Sequence, residues 1–169
     1  MSELVSFYRG DGVDAHGRTL AELWAFPDDR LESVHDFIQW MFPLREPSAF
    51  NPDAPLLTDA DVAAFRSDPA LQANLRRSFE RFLAFLGLSH HDGRVTEAAD
   101  FAEKRDLWRY PNHNWLRITR VLTSTRTLGL AAESAALFDA LSRLKASGRG
   151  RITDESFRYW SNAASGTID

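Results

Sequence analysis

The sequence contains no cysteine, which excludes a disulfide framework, a thiolate metal site and a cysteine nucleophile. Lysine is scarce: only Lys104 and Lys145 occur, and every other basic residue is arginine. No apolar run approaches the roughly 18 residues that a membrane-spanning helix needs. Residues 1–10 lack a basic stretch leading into an apolar core, so no secretory leader is expected there. An excess of one charge is also missing. Twenty basic residues against 24 acidic ones leave a net charge of −4, which argues against a general nucleic-acid binder. These absences together set the expectation of a cytoplasmic protein without a nucleic-acid partner, at most peripherally attached to a membrane. The arginine bias fits codon usage in a GC-rich, bacterial genome. It also fits a need for bidentate contacts to carboxylate or phosphate, and composition alone does not separate the two.

What is present is ordinary for one globular domain: 169 residues, 44% hydrophobic and 26% charged. A chain of that size buries about 70% of its unfolded surface and needs no covalent staple. Helix punctuation recurs along it. Thr19-x-x-Glu22 reads as a capping box before Leu20 to Phe26, closed by Pro27. Asp29-x-x-Glu32 repeats the signal before a helix over about Arg30 to Phe42, closed by Pro43. Leu31, Val34, Phe37, Ile38, Met41 and Phe42 share one face of that helix. Pro43 to Leu57 carries prolines at 43, 47, 52 and 55 and reads as a long extended loop. Thr58 caps a short helix to about Arg66. Asp68-Pro69 opens a helix that runs to Leu86 and stops at Gly87, with Leu71, Leu75, Phe79, Phe82, Leu83 and Leu86 as its buried stripe.

His90 to Thr96 reads as a turn centred on Asp92-Gly93. Asp100-x-x-Glu103 caps a helix to about Arg109. Further helices cover Asn112 to Leu128, Ala131 to Ala146 and, capped by Thr153, a last segment to Ala164. The only extended candidate is Val5-Ser6-Phe7-Tyr8. The fold class is all-α: a single compact domain, 1–169, of seven or eight helices with a long Pro-rich loop.

Two polar features stand apart from this core. On a helical wheel over Arg30 to Phe42, Trp40 and Asp36 fall opposite the apolar face, with His35 and Gln39 at its edge. Trp40 therefore needs a cover from another segment, or it is an aromatic wall for a ligand. On the Asn112 to Leu128 helix, Ile118, Val121, Leu122 and Leu128 face inward with Trp115 near them. His113, Arg117, Arg120 and Ser124 line the other side. Two arginines three residues apart repel unless carboxylates or a ligand anion balance them. The stripe is either solvated, internally bridged to Glu46, Asp36 or Glu103, or a cationic site. A link from Arg45 or Arg120 to Glu46 or Asp36 would pin the Pro-rich loop. Catalytic and metal constellations are missing: Gln39 stands where a second metal-binding histidine would follow His35, and no nucleophile elbow or phosphate loop occurs. No cofactor, no metal and no enzymatic activity are expected.

The strings His35-Asp36-Phe37-Ile38-Gln39-Trp40-Met41-Phe42-Pro43-Leu44-Arg45-Glu46-Pro47 and His113-Asn114-Trp115-Leu116-Arg117-Ile118-Thr119-Arg120-Val121-Leu122 resemble the two signatures of the opioid growth factor receptor conserved region. Phe7-Tyr8-Arg9-Gly10, Pro55-x-Leu57-Thr58, Phe82-x-x-Phe85-x-Gly87 and Leu128-Gly129-Leu130 also fit. The resemblance spans about Ser6 to Glu133, without the C-terminal repeats of the vertebrate receptors. Trp115 departs from the family pattern, which has a second asparagine there. The resemblance implies a receptor-like domain binding a short peptide, Met-enkephalin in the vertebrate members, which are associated with nuclear and perinuclear membranes. An acid, an aromatic wall and an arginine would suit such a zwitterion, and the residues of those types are His35, Asp36, Gln39, Trp40, Arg45, Glu46, His113, Asn114, Arg117 and Arg120, expected to line a pocket between the two signature helices. The alternatives are a module for an unnamed protein partner, built on Trp40 and the Pro-rich loop, and an enzyme with His35 or His113 as base beside Asp36.

Overall fold

A computed structural model describes residues 1–167, so the last two residues of the expected 1–169 domain lie outside the described residues. The described chain is mainly helical, as its punctuation predicts. It has ten helical segments rather than seven or eight, and one small two-stranded hairpin. It falls into two compact units, Met1–Arg81 and the residues from Phe82 onward.

The first unit holds α1 (Glu3–Arg9), α2 (Leu20–Trp24), α3 (Asp28–Ser33), α4 (Ile38–Met41), α5 (Asp59–Ser67) and α6 (Pro69–Leu86) up to Arg81. Val5 to Tyr8, expected to be extended, are helical because Ser2 caps α1: its hydroxyl accepts from the Val5 N–H at 3.1 Å. The capping boxes at Thr19/Glu22 and Thr58/Asp61 both form. Asp68 Oδ1 accepts the Ala70 N–H at 2.9 Å at the start of α6. The single helix expected over Arg30 to Phe42 is broken. Val34 is extended (φ −93°, ψ 125°), and α3 and α4 are separate short helices. Ser33, Val34, His35 and Asp36 are all weak helix formers, and Asp36 is engaged in a tertiary ion pair with Arg18 at 2.8 Å. The expected Asp29/Glu32 box does not form either. Pro27 is the N-cap of α3, and Asp28 and Asp29 sit in its first turn, where the helix dipole favours acid.

The core of this unit is aromatic. Phe7 meets Trp40 edge-on at 5.3 Å, Tyr8 meets Phe65 at 5.0 Å, and Phe26 meets Phe37 at 6.2 Å. Such pairs each add about 0.5–1.5 kcal/mol beyond area burial. Tyr8 is fully buried and joins four helices. Its phenol donates to the Met41 carbonyl and lies 3.0 Å from the Ser78 hydroxyl, which accepts the Trp24 indole N–H at 2.9 Å. The phenol has one proton; with it on Met41, Ser78 donates back. Burial, only partly countered by Ser78, holds the phenol pKa well above its ordinary value. Asn74 Nδ2 donates to the Tyr8 carbonyl at 2.7 Å.

The second unit begins with the last turn of α6. Every residue of the stripe expected on α6, from Leu71 to Leu86, is buried. Gly87 (φ +81°) ends that helix, and a Cβ there would meet the Phe101 backbone at 3.1 Å. The Asp92-Gly93 turn is present, but strands that the sequence did not reveal flank it: β1 (Leu88–His91) pairs antiparallel with β2 (Arg94–Glu97). Both loop residues have positive φ, 51° and 74°, the twist that a two-residue hairpin requires. The helix expected from Asp100 is a 3-10 helix over Phe101–Trp108, without a side-chain cap at Asp100. The Trp108 indole N–H is drawn to the Leu86 carbonyl at 3.1 Å. After it come α7 (His113–Thr127), capped by Asn112, then α8 (Ala131–Ser147) and α9 (Asp154–Ser165), capped by Thr153. These three pack on one another. Trp115 and Trp160 meet edge-on at 5.5 Å, the Trp160 N–H donates to the Trp115 carbonyl at 3.1 Å, and Ser134 donates to the Leu122 carbonyl at 2.8 Å.

Two outcomes are expected. Tyr8→Phe keeps the ring but leaves the Met41 carbonyl and the Ser78 hydroxyl short of a partner, so urea unfolding should show a loss of about 1–3 kcal/mol; an unchanged midpoint would remove the network from the account of stability. Asp61 is the second case. Burial pushes its carboxyl up, but hydrogen bonds from Ser2 and Thr58 and the nearby N-terminal ammonium prevail and hold it below its ordinary value. A depressed folded pKa stabilises above the unfolded value and loses that contribution as pH falls through the folded one. Asp61→Asn should therefore be less stable than the parent at pH 7, and the gap should narrow below about pH 4. Equal gaps at pH 7 and pH 3 would contradict this.

Candidate functional site

The first signature string, His35 to Pro47, lies in the break between α3 and α4, in α4 itself and in the loop that follows. Its apolar residues are core. Phe37, Ile38, Met41, Phe42 and also Trp40 are buried, Trp40 against the Phe7 ring. The wheel that set Trp40 opposite the apolar face assumed a continuous helix, which Val34 interrupts; Trp40 is only 4% exposed. Gln39 is buried too. It donates to the His35 carbonyl at 3.4 Å and accepts from Asn51 Nδ2 at 3.3 Å, which ties the Pro-rich loop to α4. Three of the charged residues, His35, Arg45 and Glu46, are exposed. Arg45 pairs with Asp59 at 2.7 Å, at the first turn of α5, instead of with Glu46 or Asp36.

Asp36 is the best-organised polar residue of the string. Arg18 Nη2 reaches its Oδ1 at 2.8 Å, and His16 Nε2 lies 3.3 Å from its Oδ2. Arg18 is fixed in turn by Asp14, whose side chain is wholly buried. Asp14 Oδ2 takes the Arg18 Nε–H at 2.7 Å, and Asp14 Oδ1 accepts the backbone N–H groups of His16 and Arg18, each at 2.9 Å. Burial draws the Arg18 pKa down, yet the hydrogen bonds and charges of Asp36 and Asp14 outweigh it and the net shift is upward. Arg18 therefore stays charged, and its contact orients the Asp36 carboxylate with 36% of that side chain still open to solvent. A histidine that the sequence reading did not name, His16, thus lies beside Asp36. Sequence reasoning passed over Asp14, His16 and Arg18; the signal available was the Asp14-x-x-x-Arg18 spacing in a glycine-flanked turn.

Around this cluster aromatic rings carry guanidiniums. Arg30 stacks on Phe26 at 4.1 Å, and Arg77 on Trp24 at 4.2 Å. Arg81 binds the Trp24 and Phe26 carbonyls at 3.1 and 2.6 Å and Asp28 at 2.8 Å, which closes the turn from α2 to α3.

The second signature string occupies the first two thirds of α7. The positions expected to face inward, Ile118, Val121 and Leu122 with Trp115 near them, are buried, while Leu116 is 59% exposed. The polar stripe is not a solvated face. His113 is exposed and Arg120 half-buried, but Asn114 and Arg117 are buried, and so is Ser124, the last residue of the stripe; Arg117 Nη1 donates to Asn114 Oδ1 at 3.2 Å. Among the described residues no group of three histidines or carboxylates is arranged to hold a metal, and no helix is long and apolar enough to cross a membrane.

What the arrangement offers chemically is an oriented carboxylate, Asp36, beside an imidazole and a guanidinium. Comparison with known proteins agrees with the two signature strings, the first of which carries Asp36. The model of the opioid growth factor receptor (OGFr) conserved region matches residues 7–165, past Glu133 where the string resemblance ended and through α9. The human opioid growth factor receptor is 40% identical over 110 residues, covering 63% of this chain and 16% of its own. The rat receptor is 36% identical over 140 residues, 79% of this chain and 24% of its own. Opioid growth factor receptor-like protein 1 of Xenopus tropicalis is 32% identical over 124 residues, 72% of this chain and 24% of its own. The matched region is therefore a quarter or less of each of these relatives. No solved structure matches. With both signatures in place and the family region extending over nearly all of the chain, this protein belongs to the opioid growth factor receptor conserved-region family.

Proposed function

We propose that this chain is a receptor-like binding domain for a short peptide, of the Met-enkephalin type, or for another small zwitterion, and that it acts by binding and not by catalysis. The observation that supports this reading most is Asp36: a part-exposed carboxylate within the first signature, oriented by contacts to Arg18 and His16. A carboxylate so placed suits a ligand ammonium, because its orientation is fixed before the ligand arrives. Exposed Arg45 and Glu46 follow on the same string and offer charges of both signs for the rest of a zwitterion. The relatives' names as receptors for an opioid growth factor favour the same ligand class.

A second reading, a module for a protein partner, draws on one feature. Phe50 on the Pro-rich loop is 82% exposed, with Leu56 46% exposed on the same loop. An aromatic side chain on such a loop suits an anchor residue for a partner.

Calorimetric titration with Met-enkephalin, against a scrambled pentapeptide, tests the first reading. Selective binding is expected, weakened roughly tenfold or more in Asp36→Asn, the loss of one charge-assisted hydrogen bond of about 1.5–3 kcal/mol. Circular dichroism of the variant at the same temperature checks that it remains folded. Heats equal for the two peptides, or none at high micromolar peptide, would overturn the reading.

A further inference from the structure

The second unit holds a groove of about 400 Å³ between its hairpin and α8, away from both signature strings in sequence. Its floor is Leu88, Ala140 and Leu144, all buried. Its rim is polar: Thr96 and Glu97 from β2, Arg143 and Ser147 from α8, and Arg149 just beyond the helix. The volume lies at the small end of the range for ligand sites and equals about a dozen waters.

The charges on the rim decide what such a groove accepts. Arg149 Nη1 is paired with Glu97 Oε2 at 2.8 Å and sits over the Phe101 ring at 5.8 Å. Arg143 donates to the Val95 carbonyl and has no carboxylate partner among the described residues. Two guanidiniums thus face one carboxylate. Two of the C-terminal carbonyls of α8 are already engaged: Gly148 N–H and Gly150 N–H go to the Lys145 and Leu144 carbonyls at 3.2 and 3.4 Å, and Ser147 Oγ also donates to Leu144. Both guanidiniums are anchored before any ligand arrives, which lowers the entropy lost on binding.

We infer that this groove is a binding site for a small monocarboxylic acid with an apolar body, aliphatic or aromatic, its carboxylate on Arg143 and Arg149 and its apolar part on Leu88, Ala140 and Leu144. The inference is independent of the peptide reading, since it uses none of the signature residues. Arg143 supplies the unneutralised charge and a planar donor fork; Glu97 competes with the ligand for Arg149.

The test is nuclear magnetic resonance titration of the whole chain with 3-phenylpropionate, with 3-phenylpropanamide as the uncharged isostere. Amide shifts should gather at Thr96, Glu97 and residues 143–149. The acid should bind with a dissociation constant of roughly 0.1–5 mM, as expected for a ligand of this size, and the amide at least tenfold more weakly. Arg143→Gln should weaken the acid about tenfold. Glu97→Gln should tighten it severalfold by releasing Arg149. Ser147→Trp, at an exposed helix-end position, should fill the groove and abolish binding while leaving the spectrum dispersed, which separates a lost site from a lost fold. Equal affinity for acid and amide, shifts scattered elsewhere, or binding that survives Ser147→Trp would overturn the inference.

Discussion

The phenol of Tyr8 is where the helices of the first unit converge. A buried hydroxyl is costly unless its proton and lone pairs find partners. Here they are found on three other elements: the Met41 carbonyl ending α4, Ser78 on α6, and through Ser78 the Trp24 indole on α2. Every partner must be in place for any of them to be satisfied, so the network specifies one arrangement of α1, α2, α4 and α6 where apolar packing alone would tolerate several. The first signature string depends on it directly. With Met41 fixed, Trp40 turns onto Phe7, Gln39 is buried beside the loop, and Asp36 lies where Arg18 reaches it.

That dependence divides each signature into two kinds of residue. Phe37, Ile38, Trp40, Met41 and Phe42 in the first, and Asn114, Trp115, Arg117 and Ile118 in the second, are interior. Their chemistry is that of packing and of paired buried polar groups. Asp36 and Arg120 in part, and His35, Arg45, Glu46, His113 and Leu116 more openly, are left at the surface, where another molecule can be met. A long matching string therefore marks a shared fold more than a shared ligand, and a few charges, most of them at the edges of the strings, stand at the surface.

The features legible in the sequence were those that short-range physics controls. The capping boxes at Thr19 and Thr58, the Asp68-Pro69 start and Gly87 stop of α6, and its stripe from Leu71 to Leu86 all depend on neighbours within a turn or two. The break at Val34 was not legible, because periodic apolar residues continue across it and the arginine that pairs with Asp36 beside it lies 18 residues before that aspartate. The hairpin was legible only at its turn: four-residue strands carrying Ser89, His90, His91, Arg94 and Thr96 show too little apolar alternation. For the site, the residue types came from the strings, but the burial of Trp40 and Arg117 and the partners of Asp36 are tertiary facts. A wheel drawn through a helix that does not exist assigned Trp40 to the wrong side.

Arg143 has a second consequence, concerning what the molecule avoids. A two-stranded hairpin has two open edges, and an open edge is a template on which a second copy can add a strand. Both strands here are only four residues long, and the guanidinium of Arg143 occupies the Val95 carbonyl of β2. A positive charge planted on a short edge removes an acceptor from any incoming ladder and repels the same arginine on a like chain. The side chain that makes the groove cationic thereby also leaves β2 one acceptor short as a template for a further strand.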